Sequence, residues 1–122
     1  MKKILIIEDD PFLSLIYTTK FEEAGFEVSI ARDGSLGLQK VKEDRPSLLL
    51  LDIVMPNIDG FEFLRILKSE QDTKDIPVVI LSNLGEQEDV EKGRALGAEA
   101  YIIKAHYTPT EVVAKVKEIL SK

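Results

Sequence analysis

The chain has 122 residues, 44% of them hydrophobic and 31% charged, with 22 acidic against 16 basic side chains, a formal charge of −6, no cysteine and one histidine. That length and balance suit one folded domain with its own core and exclude a disordered chain. They also exclude a disulfide framework, thiol chemistry and multi-imidazole metal sites; the acidity disfavours nucleic acid and anionic lipid, leaving cations with oxygen ligands.

The basic start Met1-Lys2-Lys3 is followed only by Ile4 to Ile7 before Glu8-Asp9-Asp10, too short an apolar run for a signal peptide. No later run approaches the ~20 residues of a membrane span, so a cytoplasmic protein is expected. Lys3 to Glu8 predicts a first strand, and Pro11 to Ala24 a first helix whose Leu13, Ile16, Tyr17, Phe21 and Ala24 form a core-facing stripe, with Gly25 at its C-terminal glycine position. Phe26 to Ala31 and Leu48 to Asp52 read as the second and third strands, with a helix between them at Ser35 to Glu43. A third helix follows at Gly60 to Ser69, a fourth strand at Val78 to Ser82 and a fourth helix at Glu86 to Leu96. That fourth helix has few apolar anchors, mainly Val90 and Leu96, and carries Gly93, which costs ~1 kcal/mol relative to alanine, so it is expected to be movable. Gly97 closes it, Ala100 to Ile103 forms a fifth strand, and Thr108-Pro109-Thr110-Glu111 caps a last helix from Pro109 to Leu120.

Ile4 to Ile7, Leu48 to Leu51 and Val78 to Leu81 are continuously apolar, the pattern of parallel strands covered on both faces. Five alternations of strand and helix therefore predict a doubly wound α/β domain over residues 1–122, with ligands bound beyond the carboxyl ends of the strands. The residues at those ends are Glu8-Asp9-Asp10, Asp52, Ser82 and Lys104. Singly each has an ordinary reading: Asp52 as a polar stop, Asp10 as a helix cap before Pro11. Together they bring carboxylates to one edge, where a pair ~4 Å apart repels by about 4 kcal/mol at an effective dielectric near 20. A Mg²⁺ ion that also accepts phosphate oxygens relieves that repulsion. Asp52 is then a candidate nucleophile toward phosphorus, with the Lys104 ammonium and the Ser82 hydroxyl as partners for phosphoryl oxygens.

Five segments carry a family resemblance: Ile6-Ile7-Glu8-Asp9-Asp10, Leu48 to Asp52, Met55-Pro56-Asn57-Ile58-Asp59-Gly60, Val78 to Ser82, and Gly97 to Lys104. In order and spacing the sequence resembles a response-regulator receiver domain. The resemblance implies a flavodoxin-like three-layer sandwich with strand order 2-1-3-4-5. It implies that Asp52 accepts a phosphoryl group from the phosphohistidine of a sensor histidine kinase or phosphotransfer protein, without being a turnover enzyme. Mg²⁺ would be held by Asp9, Asp52 and the Val54 backbone carbonyl, with Glu8 acting through water. Ser82 and Tyr101 would form the switch, and Lys104 would pair with the phosphate. The fourth helix, fifth strand and fifth helix would form the output face toward an unknown partner protein. Because the chain stops at Lys122, no effector domain is expected.

Ala105 stands where the family usually has a proline with a cis bond. A cis bond before any other residue costs ~2.5 to 4 kcal/mol, so a trans Lys104–Ala105 peptide is the expectation. Val54 and Leu84, two residues beyond Asp52 and Ser82, cannot orient a hydrolytic water, which predicts a long-lived phosphoryl group. Phe12 and Leu15 fall off the core stripe and are candidates for docking the kinase. His106 has no ligand companions and no catalytic role is expected of it. Two competing readings are a receiver-like interaction scaffold that works unphosphorylated, and a haloacid-dehalogenase-type phosphohydrolase, which wants a second aspartate where Val54 stands.

Overall fold

Alternation along the chain is what the backbone follows: β1 (Lys3–Ile7), α1 (Pro11–Glu23), β2 (Glu27–Ala31), α2 (Gly34–Asp44), β3 (Leu48–Leu51), α3 (Gly60–Ser69), β4 (Val78–Ser82), α4 (Gln87–Ala95), β5 (Ala100–Ile103), a 3-10 turn at Lys104–His106, and α5 (Pro109–Leu120). This computed structural model describes residues 2–121, so Met1 of the basic start and Lys122 lie outside the described residues. The strands form one sheet in the order β2-β1-β3-β4-β5, every pairing parallel. The doubly wound class and the strand order are both as expected.

A strand sends successive side chains to opposite faces, so each unbroken apolar run divides between two cores. Ile4, Ile6, Leu48, Leu50, Val79, Leu81 and Ile102 meet Tyr17 and Phe21 of α1 and Val112, Val113 and Val116 of α5. Leu5, Ile7, Leu49, Leu51, Val78 and Ile80 meet Val41 of α2 and Phe63, Leu64 and Leu67 of α3. Each buried Leu, Ile or Phe contributes roughly 1.5–3 kcal/mol of transfer free energy, which is why the polar residues that end the strands can sit close to this core at tolerable cost.

Several element ends differ from expectation for local reasons. β1 and β3 stop one residue short, leaving Glu8 and Asp52 just beyond the sheet. α2 starts at Gly34 because the Asp33 carboxylate accepts from Leu36 N at 2.9 Å, and it is closed by Arg45 in the left-handed region at φ 45°. The stripe on α1 is narrower than its periodicity: Tyr17 and Phe21 are fully buried, Leu13 and Ile16 only half, and Ser14 is buried with its hydroxyl 3.5 Å from the Glu8 carbonyl. Gly25 and Gly97 do adopt positive φ, 94° and 108°, past the ends of α1 and α4. Gly93 has a use that helix propensity does not reveal. A Cβ there would meet Ile80 Cδ1 at 2.6 Å and Tyr101 Cδ2 at 3.0 Å, so the missing side chain is what seats α4 on β4 and β5.

Candidate functional site

Register assembles the edge. Ile7 pairs with Leu51 and Ser82 with Ile103, so the residues that follow these strands emerge side by side. Glu8 is 4% exposed and Asp52 7%. The Glu8 N–H donates to the Ala31 carbonyl and the Asp52 N–H to the Ile7 carbonyl, at 3.0 and 3.1 Å. Asp10 caps α1 by accepting from Phe12 N at 2.9 Å and Leu13 N at 3.3 Å, the role its position before Pro11 predicts. Asp9 is exposed and makes no hydrogen bond or ion pair with any described residue. Beneath Asp52 lies the start of α3, capped by Asp59 through Glu62 N at 3.0 Å. A Cβ at Gly60 would stand 2.6 Å from both the Asp52 carbonyl oxygen and Ile53 Cα, so only glycine lets the helix start this close to the strand end.

Lys104 joins the two sides of the edge. Its ammonium donates to Asp52 Oδ2 at 2.9 Å and to Glu8 Oε1, with only a tenth of the side chain exposed. Asp52 Oδ1 accepts from Val54 N at 3.2 Å, and Glu8 Oε2 from Asp10 N at 3.3 Å. Burial opposes the Lys104 charge, but its hydrogen bonds to Glu8 and Asp52, with their negative charges, outweigh that and raise its pKa. Glu8 is raised above the ordinary carboxylate range, chiefly by burial, with the Lys104 hydrogen bond opposing and the Asp52 charge adding.

On the far side Ser82 is fully buried and its Oγ accepts from Leu84 N at 3.2 Å. The Tyr101 hydroxyl donates to the Leu84 carbonyl, and its ring lies half-buried against Gly93. Burial, followed by the charges of Asp89 and Asp52, pushes the Tyr101 phenol up to about 12. The Lys104–Ala105 peptide is trans, as expected, since no described peptide bond is cis, and the Ala105 N–H donates to Asn83 Oδ1 at 3.0 Å. His106 is exposed on the same turn.

A crevice of about 510 Å³ collects Glu8, Asp9, Asp52, Ser82, Asn83 and Lys104, with Val54 at its rim. Glu8, Asp9 and Asp52 each present an oxygen within 4.8 Å of the others. One ammonium faces these three carboxylates, leaving two negative charges uncompensated, and one of the carboxylates is wholly unpartnered. That hard, anionic oxygen set fits a divalent cation such as Mg²⁺. Every candidate residue thus reaches one crevice except Tyr101, which stands behind it against the Ser82 loop. Sequence reasoning missed Ser14, which braces the Glu8 carbonyl, and Asn83, whose only signal was its place next to Ser82.

Residues 4–117 match the response regulator receiver domain family. The phosphate regulon transcriptional regulatory protein PhoB of Klebsiella pneumoniae is 36% identical over 121 residues, 99% of this chain and 52% of that protein. The DNA-binding dual master transcriptional regulator RpaA of Synechocystis is 36% identical over 122 residues, 100% of this chain and 50% of that protein. The chain spans about half the length of these curated relatives. Chemotaxis protein CheY4 of Vibrio cholerae, 26% identical, superimposes with a TM-score of 0.90 over 98% of each chain. The receiver domain of the Francisella response regulator 1452, 29% identical, reaches a TM-score of 0.91 over 99% of this chain and 98% of that one. With its acidic crevice at the carboxyl ends of a β2-β1-β3-β4-β5 sheet, the chain belongs to the receiver domains of two-component response regulators.

Proposed function

We propose that Asp52 accepts a phosphoryl group from the phosphohistidine of a sensor histidine kinase or phosphotransfer protein, in a Mg²⁺-dependent reaction that switches a partner-binding face. The observation that carries this reading is the cluster of Glu8, Asp9 and Asp52 within 4.8 Å, with the Lys104 ammonium on Asp52. An Asp52 carboxylate oxygen attacks phosphorus; the new O–P bond forms as the P–N bond breaks, and the departing imidazole keeps the electron pair and takes up a proton. Asp9, Asp52 and the Val54 carbonyl would hold Mg²⁺, with Glu8 acting through water, and the bound ion supplies positive charge against the phosphoryl oxygens.

The chain's own groups do the rest. Lys104 shifts from Asp52 Oδ2 to a phosphoryl oxygen, and the buried Ser82 hydroxyl donates to another, giving up its bond from Leu84 N. Tyr101 follows, because its hydroxyl hangs on the Leu84 carbonyl. The ~1.5 to 2 added negative charges thereby reach the face formed by α4, β5 and α5, where a hollow lined by Arg94, Tyr101, Tyr107 and Lys115 offers a docking place for a partner protein. Phe12 and Leu15, 70% and 63% exposed at the mouth of the acidic crevice, suit docking of the phosphodonor. Among the described residues no helix is long and apolar enough to cross a membrane, which agrees with a cytoplasmic protein. The acidic composition agrees with a partner that is not nucleic acid.

Incubation with acetyl phosphate and Mg²⁺, read by intact mass, tests the reading. One phosphoryl group per chain, absent in Asp52→Asn, is expected. No uptake favours an unphosphorylated scaffold, and turnover of many equivalents favours a phosphohydrolase. Val54 is 63% exposed at the rim and has no polar side-chain atom to hold a water, so the phosphoryl group decays slowly. Val54→Asn speeds that decay, and equal decay in both chains discards the idea.

A further inference from the structure

The 3-10 turn after β5 is hardly anchored by burial. Ala105, His106 and Tyr107 are all exposed, and within the turn one bond, Tyr107 N to the Lys104 carbonyl at 3.3 Å, closes it. The position of the Lys104 backbone is therefore set by what its neighbours bind. At the far end of its side chain Lys104 is gripped by Glu8 and Asp52; at the main-chain end the tie is the Ala105 N–H to Asn83 Oδ1, 3.0 Å long and spanning 22 residues of sequence. A proline at 105 would have no N–H to give, so this tie exists because the residue there is alanine. Asn83 is exposed, borders the acidic crevice, and its amide nitrogen has no partner among the described residues. The side chain is not held by packing, and the hydrogen bond is its one structural commitment.

We infer that Asn83 is a positioning residue: by accepting the Ala105 N–H it fastens the peptide after Lys104 to the loop after Ser82, so that ammonium and hydroxyl approach a phosphoryl group as one unit. The inference rests on the receiver reading and deepens it. Ser82 and Lys104 sit on adjacent strands but on separate loops, and each must shift toward the same phosphoryl group. When the Ser82 loop closes, Asn83 draws the Lys104 peptide with it; without the tie, each loop has to find its position separately. The tie acts on the cation and hydroxyl side and touches none of the carboxylates, so metal affinity is independent of it.

The test is a cycle of Asn83→Ala, Ala105→Pro and the double variant. For each, the rate of Asp52 phosphorylation by acetyl phosphate is measured at saturating Mg²⁺ and Mg²⁺ affinity is measured by calorimetry. The loss of one neutral hydrogen bond predicts a rate about threefold to tenfold lower in each single variant, Mg²⁺ affinity unchanged, and a double variant no slower than the slower single. Unchanged rates, or losses that multiply in the double variant, overturn the inference. Amide exchange at Ala105, read by NMR on the unphosphorylated chain, needs no phosphorylation at all. Exchange that speeds up in Asn83→Ala supports the tie, and equal exchange overturns it. A wild-type chain that takes up no phosphoryl group sinks the receiver reading instead, and the exchange measurement still decides the bond.

Discussion

On the β1 and β3 side of the crevice each acidic residue is braced by a helix start or a strand end, while on the β4 and β5 side the working groups hang on single hydrogen bonds from loops. Asp10 and Asp59 cap α1 and α3, Gly60 presses α3 onto the Asp52 carbonyl, and Ser14 lies under Glu8. Opposite them, Leu84 N on Ser82, Tyr101 on the Leu84 carbonyl and Ala105 N on Asn83 are isolated links. The difference is what charge demands. Repelling carboxylates have to be held in place by the fold if a cation is to find them preorganised, whereas a hydroxyl and an ammonium can travel at small cost.

Lys104 is the one residue that belongs to both sides, and removing it has the largest expected effect on stability. Lys104→Met leaves Glu8 and Asp52 buried without their counter-charge, and breaking a buried pair in this way costs about 3–5 kcal/mol. Urea unfolding in chelator measures this loss. Adding Mg²⁺ restores part of it, because a cation that binds only the folded state stabilises it by mass action. A variant as stable as wild type in chelator would mean that the carboxylate side stands without the lysine and that the crevice is not one electrostatic unit.

A pair of glycine substitutions compares the two sides directly. Gly60→Ala drives a methyl against the Asp52 carbonyl oxygen and Ile53 Cα, backbone atoms that cannot step aside, and is expected to cost about 1–3 kcal/mol and to slow phosphorylation of Asp52. Gly93→Ala meets Ile80 Cδ1 and Tyr101 Cδ2, side-chain atoms that can shift, and it gains ~1 kcal/mol of helix propensity in return. Its net cost is therefore the smaller of the two, and its effect appears at Tyr101. Denaturant midpoints for the two variants rank them; equal losses would erase the distinction between a braced side and a lightly held one.

How much of this was legible follows from what sequence patterns encode. Strands were readable because Ile4 to Ile7, Leu48 to Leu51 and Val78 to Leu81 are unbroken apolar runs, and the site because the residues that end those runs are polar. Which strand neighbours which is not contained in such runs, since the three are interchangeable as buried β-segments, and the order came from family likeness alone. Ser14 reads as a solvent residue on a helix, yet the turn from β1 folds the Glu8 carbonyl back over it. Gly93 reads as a helix weakness, yet it is a close-approach residue whose reason lies on β4 and β5. Asn83 and Ala105 meet across two loops, and no local periodicity reports a hydrogen bond between segments that far apart.

The smallest expected effect, and the finest probe of the lightly held side, is the titration of Tyr101. Its phenol ionises at about 12 against an ordinary 10.0, because burial, then the negative charges of Asp89 and Asp52, disfavour the phenolate. The folded state thus holds this proton more tightly than the unfolded chain does. The shift contributes stability that is whole below the unfolded value and is lost as pH rises through about 12. Tyr101→Phe removes the donor to the Leu84 carbonyl and is expected to cost about 1 kcal/mol at neutral pH, a difference that fades once wild-type Tyr101 ionises. Subtracting the variant's ultraviolet phenolate titration from that of wild type isolates Tyr101 from exposed Tyr107 and from Tyr17, itself raised by burial. A difference curve centred near ~10 would place the hydroxyl in water, and the Leu84 loop would then have no phenol tying it down in the unphosphorylated chain.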